Sequence, residues 1–294
     1  MENIKDYISA KRPSLSKSSL TTYSSILKNL FVRVFGVEKI DLTKFDDTEP
    51  VLKFLKDVPP NKRKTILSSL VIITDKKPYR DLMSEDVRDY NKDISKQIKT
   101  PAQEAAWVET DEIKQVYNDL KQNADLIMKK KNITQSDLQQ IQNYIILCVL
   151  GSGFIKPRRS KDFVDFKIKN VDTAVDNYMD KNKFIFNSYK TSKTYGKQEV
   201  DIPIQLKNII KKWAAINPTD YLLFDSNMNK LSSVKLNQRL NRIFDGKKVG
   251  VNAIRHSYLT DKFGDTIKQK QDIENTMTEM GTSPSMLLTY VKKD

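Results

Sequence analysis

A mainly α-helical fold with one small β-sheet is the architecture this sequence predicts, divided into an N-terminal helical domain and a C-terminal α+β domain. Apolar residues recur at helical spacing through the first third of the chain. The same period returns over most of the remainder. One interval, Phe184–Ile204, breaks it with short β-type runs around a polar turn.

The elements follow in order. Met1–Ala10 forms a short amphipathic segment that stops before Pro13. Ser16-Lys17-Ser18-Ser19 supplies capping hydroxyls for a helix whose apolar face is Leu20, Tyr23, Ile26, Leu27, Leu30, Phe31 and Val34. Val51–Val58 is closed by Pro59-Pro60. Lys62–Thr74 opens on three bases and continues into Ile66, Leu67, Leu70, Val71 and Ile73. Ser84–Ile98 is a more polar helix. Together these segments make a small bundle over residues 1–98. The polar stretch Lys96–Ala106, with Pro101 inside it, reads as the linker to residues 99–294.

Glu109-Thr110-Asp111-Glu112 then places a capping residue and acids ahead of Ile113, Val116, Tyr117 and Leu120. Gln139–Leu150 reads as a buried helix. Phe184-Ile185-Phe186 and Glu199–Ile204 are the strands, flanking the turn Lys190–Lys197. Helical spacing resumes in Leu206–Ile216, Val234–Phe244, Val251–Phe263, Gln271–Met280 and Ser285–Val291.

Composition narrows the function classes. The 294 residues carry 51 Lys+Arg against 37 Asp+Glu, a formal net charge of +14. That excess favours polyanions, and nucleic acid is the first partner to consider. One histidine, His256, and one cysteine, Cys148, cannot build a His/Cys zinc site, and no clustered acidic motif argues for magnesium. A lone cysteine allows no internal disulfide. The N-terminus lacks the apolar run of a secretion signal, and no stretch approaches the ~18 apolar residues of a membrane span. The expected location is intracellular, with DNA.

Four scattered elements carry the chemistry. Gly151–Asp162 follows an apolar helix and holds Arg158 and Arg159, with Asp162 three residues beyond Arg159. Tyr189–Gly196 holds Lys190 and Lys193 between the strands. Asn252-Ala253-Ile254-Arg255-His256-Ser257-Tyr258-Leu259-Thr260 places an Arg-His pair on a helix. Met280-Gly281-Thr282-Ser283 leads to Tyr290 near the C-terminus. Their order and context resemble the tyrosine recombinases of the phage-integrase type, with some likeness to those of large DNA viruses and mobile elements. The segment Leu15–Phe31 is similar to the Ser/Thr-capped, Tyr-bearing opening of that family's core-binding domain.

The resemblance implies roles. Tyr290 would be the nucleophile, Arg159 and Arg255 the paired arginines, with Arg158 the register alternative to Arg159. Lys190 would be the hairpin lysine, with Lys193 second. His256 would support the site. Asn252 and Thr282 stand where the family usually has histidine, and the Thr282-to-Tyr290 spacing is one residue short. Neither departure can shuttle a proton near neutral pH, although both can donate a hydrogen bond. The implied reaction is cutting and rejoining of DNA through a 3′-phosphotyrosine, without cofactor, metal or ATP. A type IB topoisomerase and a catalytically silent DNA-binding protein are the alternatives. Arg12, Lys17, Lys62, Arg63, Lys64, Arg158 and Lys193 are candidate DNA contacts, and the domains would form a C-shaped grip on the duplex. Because little chain follows Tyr290, the expected state is a monomer in solution and a tetramer on two duplexes.

Overall fold

A computed structural model describes residues 4–36 and 39–292. The chain divides into two compact units, Met1–Ile98 and Lys99–Asp294.

The first unit is all helical among its described residues. It contains α1 (Ile4–Lys11), α2 (Lys17–Phe35), a 3₁₀ turn (Leu42–Asp46), α3 (Thr48–Leu55), α4 (Pro60–Thr74) and α5 (Lys77–Ser95). Ser16 caps α2 by accepting the Ser19 N–H at 3.1 Å. Its buried face, Leu27, Leu30 and Phe31, is part of the face read from the sequence. The core adds Ile8, Phe45, Val51, Leu55, Leu67, Leu70, Ile73 and Tyr79. Tyr79 is fully buried and donates its hydroxyl to the Phe45 carbonyl at 2.9 Å. Met1–Asn3, the start of the first expected segment, lie outside the described residues.

Element boundaries differ from the sequence reading at several points. α3 begins three residues early because Asp47 accepts the Glu49 N–H. α5 begins seven residues early, since Pro78 sits in the first turn, where no N–H is required. Pro101 likewise opens a helix inside the expected linker: α6 (Pro101–Ala105) is started by a reciprocal Thr100–Gln103 capping box.

The second unit is built on α7 (Thr110–Ile127) and α8 (Gln135–Leu150), followed by α9 (Ser160–Val164). From Tyr144 to Leu150 every residue of α8 is buried, Cys148 included, and burial pushes that thiol up to about 12. The sheet has four strands in the order β1 (Phe166–Lys167), β2 (Asn177–Asp180), β3 (Lys183–Phe186) and β4 (Gln198–Asp201). The β1–β2 pair is parallel; the other two are antiparallel, with Phe184 opposite Val200 and Phe186 opposite Gln198. The strands β1 and β2 carry too short an apolar alternation to be read from sequence. β4 ends at Asp201, and Ile204 already belongs to α11 (Ile204–Ile216), because Pro203 favours a helix start over a continued ladder. A helical turn, α10 (Ser192–Tyr195), interrupts the expected polar hairpin.

α12 (Ser233–Ile243) and α13 (Val251–Glu279) complete the body. α13 is the largest departure. It is one continuous helix of 29 residues where two were expected. Gly264, in the interval between the two expected segments, keeps helical backbone, and no proline follows within the helix. A 3₁₀ turn (Pro284–Met286) and α14 (Leu287–Tyr290) follow. No described helix is long and apolar enough to cross a membrane.

Candidate active site

Arg159 occupies the N-cap position of α9, with extended backbone. Asp162, three residues on, is 2% exposed. Arg158 donates from Nε to Asp162 Oδ2 at 2.8 Å and from Nη1 to Gln198 Oε1 at 2.9 Å. Its guanidinium lies 4.0 Å from the centroid of the Phe186 ring. Arg158 is thus held by protein groups on three sides. Arg159 makes no side-chain hydrogen bond among the described residues, so its donors are free.

Arg255 stands on the second turn of α13. Its position is set from α12: Asn237 Oδ1 accepts the Val251 N–H at 3.1 Å, and a Cβ on Gly250 would come within 3.2 Å of that same oxygen. Ser257 then ties the helix to the Val108 carbonyl. Burial lowers the Arg255 pKa, and the Arg159 charge lowers it further, opposed by Asp162. Asp162 is raised by burial, against the pull of Arg158, Arg159 and Arg255. The two arginines expected from distant parts of the sequence therefore share one electrostatic neighbourhood around a buried carboxylate. Oδ1 of Asp162 is buried and has no hydrogen-bond partner among the described residues.

Asn177 on β2 joins this cluster to the lysine hairpin. Fully buried, it donates to the carbonyls of Asp162 (3.1 Å) and Ser188 (2.8 Å) and accepts the Ser188 N–H at 2.8 Å. Tyr189 closes the hairpin with a hydroxyl bond to Gly196 O at 2.8 Å. Lys190 and Lys193 are exposed beyond it, without a polar partner among the described residues. Sequence reading missed Asn177, Gln198 and Asn237. A buried asparagine in a short strand looks like any turn residue until its neighbours are known.

Asn252 and His256 are exposed on one face of α13. Asn252 accepts from Arg255 Nη1 at 3.4 Å, leaving its amide N–H₂ free. Both line a cavity of about 400 Å³ with Trp107, Ser160, Asn237 and Lys248. This hollow at the start of α13 is lined by donors and one ammonium, suited to an anionic ligand. Buried Trp107 Nε1 makes no hydrogen bond among the described residues, and Lys99 Nζ sits 3.7 Å from the Trp107 ring centroid.

Thr282 and Tyr290 lie elsewhere. Met280 follows Arg255 by 25 residues of continuous helix and its C-cap, which spans about 37 Å at ~1.5 Å per residue. Residues 281–290 are mostly 3₁₀ and α turns and could reach back by only about 20 Å even if aimed straight at Arg255. The 3₁₀ turn packs on α13. Tyr290 is 57% exposed. By this path length α13 carries Tyr290 away from Arg255 within one chain.

In the first unit, Arg12, Lys17 and Lys62 are exposed and unpaired among the described residues. Arg63 is not a free phosphate contact. It makes a two-point ion pair with fully buried Asp86, at 2.9 and 2.6 Å, holding α4 to α5. Lys64 Nζ rests 3.0 Å from the centroid of the Tyr90 ring.

No family model and no curated protein matches the chain. Solved structures do. A XerH site-specific recombinase bound to its difH substrate in a pre-cleavage complex is 14% identical, with a TM-score of 0.42 over 99% of this chain and 91% of that one. The Tn1549 transposon integrase in complex with circular intermediate DNA is 11% identical, with a TM-score of 0.44 over 90% and 88%. A lambda integrase dimer bound to a COC′ core site is 14% identical, with a TM-score of 0.42 over 89% and 72%.

Proposed function

We propose that this protein is a site-specific DNA recombinase that cuts and rejoins duplex DNA through a covalent phosphotyrosine. The observation that carries the reading is the shared electrostatic influence of Arg159 and Arg255 on the buried Asp162 carboxylate in a chain of net charge +14. Displacement at a phosphodiester passes through a crowded, doubly negative arrangement of oxygens. Two guanidiniums stay charged at any working pH and offer paired N–H donors to the non-bridging oxygens.

Each group then has a task. The Tyr290 phenol oxygen bonds to phosphorus, the P–O5′ bond breaks, and the phenolic proton passes to solvent. Lys190, on the hairpin that Asn177 ties to Asp162, donates a proton to the departing 5′-oxygen. Asn252 and His256 donate hydrogen bonds at the cavity beside Arg255. Thr282 positions the segment that carries Tyr290. Resealing is the reverse attack by a 5′-hydroxyl on the phosphotyrosine, so bond energy is conserved in the adduct. Duplex DNA is the partner. The protein is a monomer in solution and assembles as a tetramer on two duplexes.

A catalytically silent DNA-binding protein is the second reading, favoured by the separation of Tyr290 from the arginines. A duplex nicked next to the cleavage site separates the two. After cleavage the short 5′ fragment diffuses away, and an enzyme is trapped as a covalent protein–DNA species that survives denaturant. A silent binder leaves only the free duplex. Products joining two duplexes would separate a recombinase from a topoisomerase, which reseals one strand.

A further inference from the structure

The cavity at the start of α13 offers mostly hydrogen-bond donors. Gln103 Oε1 accepts the Thr100 N–H at 2.8 Å, and Asn237 Oδ1 accepts the Val251 N–H at 3.1 Å. Asn252 Oδ1 accepts from Arg255 Nη1 at 3.4 Å. All three oxygens are occupied by donors of the protein itself. Each amide therefore has its N–H₂ left for the hollow of about 400 Å³ that the three residues line. Lys248 adds an ammonium and His256 an imidazole, and among the described residues no carboxylate lines the space. Lys247 is paired with Glu112 at 3.0 Å, whereas Lys248 is exposed and unpaired among the described residues. Donors that converge without an acid select a ligand rich in oxygen and negative charge.

A lone phosphate would leave much of this space unfilled, since pockets of roughly 300–1,000 Å³ hold whole organic molecules. The rest of the lining is apolar: Trp107, Ala102 and Ala106, with Val251 and Ala253 of α13. A phosphate joined to a flat ring matches both halves, and a nucleotide is such a molecule. Asn252 links the cavity to the arginines, with its oxygen on Arg255 and its amide left for the hollow. A strand whose phosphate lies on Arg255 thus brings a neighbouring nucleotide to the cavity. In a duplex that base stacks on its neighbours and pairs with its partner, so entry requires it to leave the stack. Passing a strand from one duplex to another demands the same separation.

We infer that this cavity is a nucleotide pocket, which takes a base out of the stack beside the phosphate held by Arg159 and Arg255 while Lys248 meets an adjoining phosphate. No covalent bond is made or broken there. The pocket keeps the strand next to the break apart from its old partner, ready to pair with a second duplex. The inference extends the recombinase reading and rests on it for the course of the strand. Binding is read without cleavage, so the two ideas fail separately.

The tryptophans of the chain report on the pocket. Of the two, Trp213 is fully buried and stacked on Phe224, so a ligand in the cavity alters the emission of Trp107. Thymidine monophosphate should quench that emission saturably. Lys248→Ala should weaken its binding by roughly 10-fold, the loss of one charge-assisted contact. Ala102→Leu fills the space from an exposed position on α6 and should remove the quench while the circular dichroism stays that of wild type. A quench that survives Ala102→Leu, or none in wild-type protein, overturns the pocket. Inorganic phosphate that displaces the nucleotide at equal concentration makes the cavity a plain anion site and overturns the nucleotide assignment. A photocrosslink separates a strand nucleotide from a free one. Iododeoxyuridine, placed on each side of the nick in turn and irradiated in the bound duplex, should join to a peptide containing Trp107, and Ala102→Leu should abolish that product. Thymidine monophosphate binding without such a crosslink makes the ligand a free nucleotide and overturns the role in strand passage.

Discussion

Arg158 and Arg159 are neighbours in sequence with opposite duties, and mutation should tell them apart. Arg158→Ala leaves the buried Asp162 carboxylate without its ion-pair partner and strips the cation from the Phe186 ring. Breaking a buried pair from one side costs about 3–5 kcal/mol. Urea unfolding should show that loss, and a change below about 1 kcal/mol would mean that the pair is solvated. Arg159→Ala should keep normal stability and lower the cleavage rate by on the order of 100- to 1,000-fold, the loss typical of one preorganised donor. Lys190→Ala should behave like Arg159→Ala and Lys193→Ala should not; the reverse ranking would shift the acid to Lys193. A pH effect is expected at Asp137. Its pKa falls to about 2 through the hydrogen bond from Lys130 and those from Thr134 at the start of α8. Because the folded value lies below the ordinary 3.8, its contribution is complete above about pH 4 and is lost as pH falls toward 2. Asp137→Asn should flatten that part of the acid-unfolding curve; an unchanged curve would assign the acid sensitivity to other carboxylates.

At the scale of elements, α13 gives the most specific expectation. Gly264 keeps helical backbone, and a Cβ there would meet only Thr260 Cγ2 at 3.8 Å. Gly264→Ala should therefore stabilise the helix by about 0.5–1 kcal/mol. If α13 acts as a straight rod, adduct formation survives this change. If α13 must bend at Gly264 for cleavage, the same substitution depresses it. The interval 264–270 also shows where sequence reading ran out: it interrupts the apolar spacing of its flanks, yet nothing in it forces a break. Elements with an interior face were legible: α2, α7, α8, α11 and α12 follow from apolar spacing and caps. The arginine and lysine segments fall on a helix start, a hairpin and a helix, as read, because those motifs keep local context. The strands β1 and β2, the contacts of Asn177, and the pairing of Arg63 with Asp86 depend on partners well outside the local sequence window, which local pattern does not encode.

For the molecule as a whole, the surplus of positive charge should dominate affinity. A protein contacting 6–10 phosphates loses roughly 10³–10⁵ in affinity between 50 and 200 mM salt. A nearly flat salt response would remove the extended basic contact with the duplex. Arg12→Ala, Lys17→Ala and Lys62→Ala should each reduce the salt slope, whereas Arg63→Ala should unfold the first unit instead of lowering the slope alone. The most direct test of the proposed chemistry is to digest the species trapped on a nicked duplex and find by mass spectrometry which residue carries the nucleotide. A nucleotidyl phosphodiester on Tyr290 is expected, absent in Tyr290→Phe protein that still binds DNA. A trapped nucleotide on Tyr258 or another residue, or no trapped species from wild-type protein, would contradict it.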